Sequence, residues 1–99
     1  MSAQVQAFGV FVPKRRKAEE LREALTAHVL RSRKEPGNTA YEVFEGLDGS
    51  NRFMISERWS DRASYDAHLD GEGVAALAKV IEPLVTGTVQ TFDGTVIQA

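Results

Sequence analysis

The chain has no cysteine among its 99 residues. This excludes a disulfide framework and any thiolate-based metal or redox site, and it fits a reducing compartment. No apolar run approaches the roughly 20 residues of a membrane span. Nor is there an excess of positive charge: 12 Lys and Arg stand against 14 Asp and Glu, a net charge of −2, which argues against nucleic acid as the main partner. The one basic run, Lys14 to Lys17, follows the first apolar stretch, whereas a secretory signal has the reverse order; the reading is cytoplasmic. The run lacks interleaved aromatics and reads as a solvated loop. Histidine is scarce: His28 and His68 are the only two, and histidine is the side chain whose unperturbed pKa lies near neutral pH. With no repeat or low-complexity tract, the length suits a single domain spanning 1–99. So short a chain buries a limited core, and self-association is a common remedy.

What is there is a clear succession of patterned segments. Val5 to Val12 is apolar on both faces and reads as a first strand ended by Pro13. A helix from about Lys17 to Ser32 carries Leu21, Ala24, Leu25, His28 and Val29 as its inner stripe. Pro36-Gly37 stops it and redirects the chain. Asn38 to Glu45 is a second strand, and Asp48-Gly49-Ser50 folds it back on a third, Arg52 to Trp59. There Phe53, Ile55, Glu57 and Trp59 share one face. Ser60 or Asp61 caps a helix to about Leu69, with Tyr65, His68 and Leu69 on one side. A third helix with Val74, Leu77, Ala78 and Ile81 ends at Pro83. Thr86 to about Ile97 is a last strand, interrupted at Asp93-Gly94 by a bulge or turn. The order predicts a ferredoxin-like α+β fold, an antiparallel sheet with helices on one face and one extra short helix. The other sheet face is also apolar, and a second copy of the chain is its simplest cover.

The block from Glu35 to His68 resembles the antibiotic biosynthesis monooxygenase family. Glu35-Pro36-Gly37 matches that family's entry to strand two, and Tyr41-Glu42 its aromatic and polar pair. Asn51-Arg52-Phe53 matches the start of strand three, Glu57-x-Trp59 its Glu-x-Trp pattern, and the run to Ala67-His68 the following helix. The resemblance implies a homodimeric α/β barrel and, among its chemistries, oxygenation of quinols or polyketide-like phenols without metal or flavin. It also embraces haem degradation, but strand one (VQAFGVFV) lacks the asparagine and the last helix (GVAALAKVI) the histidine of that branch. Gly71-x-Gly73 lacks the context of a phosphate loop. Because one fold hosts several chemistries, function rests on the site.

A cofactor-free oxygenase needs a base to form the substrate anion, and a histidine at the mouth of an apolar pocket suits that role. His68 falls on the family's helix histidine and is the candidate base; the plainer alternative is a half-buried histidine bonded to backbone. His28 lies on the Leu21–Leu25 stripe, as a further pocket residue or a packed helix histidine. Trp59, the only tryptophan, is a candidate pocket wall stacking on a flat substrate, or core. Tyr41 and Tyr65 are candidate hydrogen-bond partners for a substrate oxygen, or packing residues. Glu57 faces an apolar environment and needs a partner or a raised pKa: it is a candidate supporting carboxylate for His68, or half of an ion pair with Arg52, Arg58, Arg62 or a basic residue of a second copy. Two histidines without a carboxylate geometry do not make a metal site. The alternatives to oxygenation are a proton-transfer isomerase in the same pocket and a non-catalytic small-ligand-binding dimer.

Overall fold

The computed structural model describes residues 3–99. The elements are β1 (Val5–Phe11), α1 (Ala18–Ser32), β2 (Asn38–Glu45), β3 (Phe53–Trp59), α2 (Arg62–Leu69), α3 (Glu72–Ile81) and β4 (Gln90–Thr95). The strands form one antiparallel sheet in the order β2-β3-β1-β4. This is the ferredoxin-like plan expected from the element order.

The alternation in β3 decides the layering. Phe53, Ile55, Glu57 and Trp59 are all buried, while Met54, Ser56 and Arg58 between them are only half-buried. On the same face lie Val5, Ala7 and Phe11 of β1 and Tyr41 of β2. Against them pack Leu21, Leu25 and Val29 of α1, spaced to share one helix face, with Leu77 and Ile81 of α3. Helix α2 begins at Asp61, whose side chain accepts from the Ser64 backbone N–H at 2.8 Å. Of the two residues able to cap this helix, the aspartate does so. That cap fixes where Tyr65 and His68, one turn apart, enter the core.

Two expectations for the chain's last quarter are corrected. The final strand is shorter than 86–97, because Gly87 adopts a left-handed φ of 71° and turns the chain before pairing begins. Asp93-Gly94 makes no bulge: the register with β1 runs unbroken through Ala7↔Asp93 and Gln6↔Gly94. Gly94 is tolerated in the strand, and Asp93 is held there by Tyr65, whose hydroxyl donates to it at 2.7 Å. Upstream, Pro13 pairs with Val85 in an isolated bridge, so the exit of β1 is tied to the end of α3.

The outer sheet face is divided. At one end Gln6 donates to Ser56 at 2.9 Å and accepts from Arg58 at 2.8 Å. At the other, Phe8, Phe44 and Phe92 are exposed beside half-buried Val10 and Met54.

Candidate functional site

Between the inner sheet face and the helices lies a cavity of about 270 Å³. Its apolar lining comes mainly from β1 (Ala7, Phe11), β3 (Ile55) and α3 (Val74, Leu77, Ala78, Ile81). Its polar lining is concentrated in His28, Tyr41, Glu57, Tyr65 and His68. Five of the six residues singled out in the sequence therefore meet at one cavity, although they come from four different elements.

The sixth, Trp59, is corrected from wall to support. It is fully buried and does not line the cavity. Its ring stands 4.6 Å from the His68 ring at 30°, and its Nε1–H donates to Glu57 Oε1 at 2.9 Å. The residue is the backing of the site: it stacks on the histidine and pins the carboxylate. Among the described residues of the one chain, Glu57 likewise pairs with no arginine. Arg52 bonds Asp48, Arg62 bonds Asp66 and Arg58 bonds Gln6. Alternation turns Glu57 inward, where its Oε1 lies 3.6 Å from His68 Nε2.

The buried groups form a continuous hydrogen-bond chain. Arg31 Nη2 lies 3.4 Å from His28 Nδ1. His28 Nε2 is 2.8 Å from the Tyr41 hydroxyl, and that hydroxyl is 3.2 Å from His68 Nε2. His68 Nδ1 sits 3.0 and 3.2 Å from the two carboxylate oxygens of Glu35. Ser32 Oγ, at 3.4 Å from His28 Nε2, flanks the chain. Among the described residues no buried side-chain N or O atom lacks a partner, as interiors require.

Burial sets the electrostatics. It is the main cause that lowers the His28 pKa to about 4, with His68 and Arg31 adding repulsion; His28 is neutral at pH 7 and acts as a hydrogen-bonding group. Burial first, then the Glu57 charge, pushes the Tyr41 phenol up. Burial first, then Asp93, pushes the Tyr65 phenol up. Both hydroxyls keep their protons and serve as donors. His68 alone combines a cavity position, a carboxylate on Nδ1 and a second carboxylate near Nε2.

Sequence reasoning missed Glu35, Asp93 and Ser32. Glu35 was legible only as part of Glu35-Pro36-Gly37. Its bond to His68 spans 33 residues, and no local spacing signals such a partner. A usable cue is chemical: a buried histidine needs acceptors or donors for both ring nitrogens. Among the described residues no group of three His, Asp or Glu side chains has the geometry to hold a metal ion, and no helix is long and apolar enough to cross a membrane.

The fold and site define a small ferredoxin-like α+β domain with one apolar cavity carrying a histidine between carboxylates. The sequence pattern of the antibiotic biosynthesis monooxygenase family matches residues 7–80, and the chain belongs to that family. Among its relatives, the Bacillus subtilis (strain 168) protein YcnE, which carries a provisional monooxygenase name, is 36% identical over 64 residues. That alignment spans 65% of this chain and 65% of the relative's length. The structure of Rv0793 from Mycobacterium tuberculosis superposes with a TM-score of 0.90 at 23% identity, covering 98% of each chain. A Deinococcus radiodurans structure, provisionally described as an antibiotic biosynthesis monooxygenase, gives 0.89 at 26% identity, covering 96% of this chain and 94% of that one.

Proposed function

We propose that the protein is a cofactor-independent monooxygenase of a small hydroxylated aromatic, a quinol or polyketide-like phenol. The observation that carries this reading is His68: it lines the apolar cavity with Nδ1 on the Glu35 carboxylate and Nε2 facing Tyr41 and Glu57. A ring held this way is a positioned general base. It takes the substrate's hydroxyl proton, with Glu57 3.6 Å from Nε2, and the cavity's apolar wall keeps water from the anion. The anion passes an electron to dioxygen. One oxygen atom ends on the substrate carbon and the other leaves as water, the substrate supplying all the electrons, as in the conversion of a naphthohydroquinone and O₂ to a hydroxynaphthoquinone and H₂O.

An apolar cavity of about 150 Å³ holds benzene, so about 270 Å³ suits two fused rings without a long tail. Tyr41 or Tyr65 orients a substrate oxygen, and Trp59 holds His68 and Glu57 in place. A second copy covers the Phe8, Phe44 and Phe92 end of the outer sheet face, giving a homodimer, and the protein works in the cytoplasm.

The test is oxygen uptake by the purified protein with hydroquinones, anthrones and naphthols, compared with autoxidation. The expected result is enzyme-dependent uptake that falls at least about 100-fold in His68→Ala. Turnover that continues without oxygen would instead assign the same base to an isomerase. Ligand-induced thermal stabilisation with no turnover of any kind would leave a binding protein.

A further inference from the structure

We infer that the buried hydrogen-bond chain runs in one direction and that Glu35 is its outlet, carrying the proton that His68 gains in the cavity to solvent on the far side of the His68 ring. The inference rests on the reading of His68 as a general base, and it adds the route by which that base is reset.

The direction follows from the two ends. A guanidinium has only donors, so His28 Nδ1, 3.4 Å from Arg31 Nη2, presents its lone pair there. The neutral ring's proton is then on Nε2, which donates to the Tyr41 oxygen at 2.8 Å. With its oxygen accepting that bond, the Tyr41 O–H donates to His68 Nε2 at 3.2 Å. His68 must therefore carry its resting proton on Nδ1, and there it meets the acceptor oxygens of Glu35 at 3.0 and 3.2 Å. The two histidines are locked in opposite tautomers.

Position makes this directional chain useful. His68 is only 2% exposed, whereas the Glu35 side chain is 32% exposed. His68 also borders a second concavity, lined with Glu35, Pro36, Ala63, Ser64 and Ala67. One imidazole thus separates the apolar cavity on its Nε2 side from a solvent-reaching carboxylate on its Nδ1 side. The substrate's hydroxyl proton reaches Nε2 through Tyr41, whose hydroxyl gives its own proton to Nε2 at 3.2 Å and takes the substrate's, and this makes the imidazolium. The Nδ1 proton then passes to a Glu35 oxygen and on to water in the outer concavity. The proton leaving Nδ1 is not the one arriving at Nε2, so neither ring rotation nor opening of the cavity is needed. Neutral His68 is left with its proton on Nε2; that proton returns through Tyr41 to the oxygen that leaves as water while Nδ1 takes one back from Glu35, which restores the resting tautomer and leaves no net proton exported over the cycle. Glu35 acts through His68 and is a positioning and relay residue.

Two measurements test this. Long-range ¹H–¹⁵N correlation spectra of the labelled protein, at a pH where both rings are neutral, report tautomers without any substrate. The expectation is Nε2–H for His28 and Nδ1–H for His68, with His68 becoming a mixture in Glu35→Ala; the same tautomer on both rings, or no change in Glu35→Ala, overturns the inference. In the uptake assay, Glu35→Ala is expected to lower kcat about 10–100-fold with KM held, a fraction of what a positioned proton-transfer group supplies. Formate entering the outer concavity should restore it in proportion to its concentration, while Glu35→Gln, which leaves no space, should not respond. A raised KM with no formate effect would mean that Glu35 is structural and overturns the outlet. Absence of uptake in the wild type would sink the oxygenase reading alone, and the tautomer result would then decide the inference by itself.

Discussion

Replacing Gly37 by alanine is expected to destabilise the fold by several kcal/mol and to disturb the site without touching a catalytic group. Gly37 has φ of +85°, where an L side chain costs about 1–2 kcal/mol. A Cβ there would overlap Ser64 Cβ and Oγ and stand 3.1 Å from Ser60 Oγ. Overpacking of that kind costs about 1–3 kcal/mol, for a total of about 2–5 kcal/mol. In a 99-residue chain that is a drop in Tm on the order of 10–30 °C. The Gly37 carbonyl also accepts from the Ser60 N–H at 2.8 Å, so the turn cannot back away without breaking this bond. Glu35 lies two residues before Gly37, and His68 one helical turn after Ser64. Pushing the turn from α2 therefore lengthens the Glu35–His68 bond. Urea unfolding of Gly37→Ala, Ser64→Gly and the double variant checks the reasoning. Ser64→Gly alone costs about 0.5–1 kcal/mol, but in the double variant it should return about 1–3 kcal/mol by removing the overlapping atoms. A Gly37→Ala protein within about 0.5 kcal/mol of wild type, or strict additivity in the double variant, would refute the steric argument.

The His28 pKa, about 4 in the fold against an ordinary 6.5, makes stability depend on pH. Between those values the unfolded chain binds more protons, so the contribution is complete above pH 6.5 and declines by up to about 1.4 kcal/mol per unit as pH falls towards 4. Unfolding free energies from urea titrations at pH 7 and pH 5 should differ by about 2 kcal/mol more in wild type than in His28→Gln; equal differences would contradict burial of a neutral ring. Trp59→Phe removes the donor at 2.9 Å from Glu57 and should cost about 1.5–3 kcal/mol, read as a lower denaturation midpoint; an unchanged midpoint would show that Glu57 finds another donor. Phe92→Asp, at a position 71% exposed on the outer sheet face, should convert a dimer to monomer in light scattering after size exclusion, and a dimer that survives would move the interface elsewhere.

The parts of the molecule that were legible in the sequence are those governed by local rules. Alternation in Phe53–Trp59 placed Glu57 and Trp59 on one face with Phe53 and Ile55, helical spacing placed His28 on an inner stripe and His68 beside Tyr65, and Ser60-Asp61 announced a cap. The parts that were not legible depend on which elements meet. Whether Trp59 touches substrate or stacks behind His68 is decided by α2 lying across β3, and no spacing encodes that crossing. Glu57 was paired with an arginine because nearby arginines are visible in sequence, while its donor, the indole two residues away, is settled by side-chain direction. The final strand was read too long because β-branched residues continue past its pairing partner, and β1 ends the ladder.

The origin of the cavity lining has an evolutionary consequence. Every member of the hydrogen-bond chain, and the Trp59 backing, falls between His28 and His68, whereas Val74, Leu77, Ala78, Ile81, Val89 and Thr91 shape the opposite wall from a later stretch. The buried polar chain is thus written in one segment of the gene and much of the aliphatic wall in another. Mutation in the later segment can reshape the cavity's aliphatic wall while the buried hydrogen-bond chain stays intact, so the molecule accommodated can change with a handful of aliphatic codons.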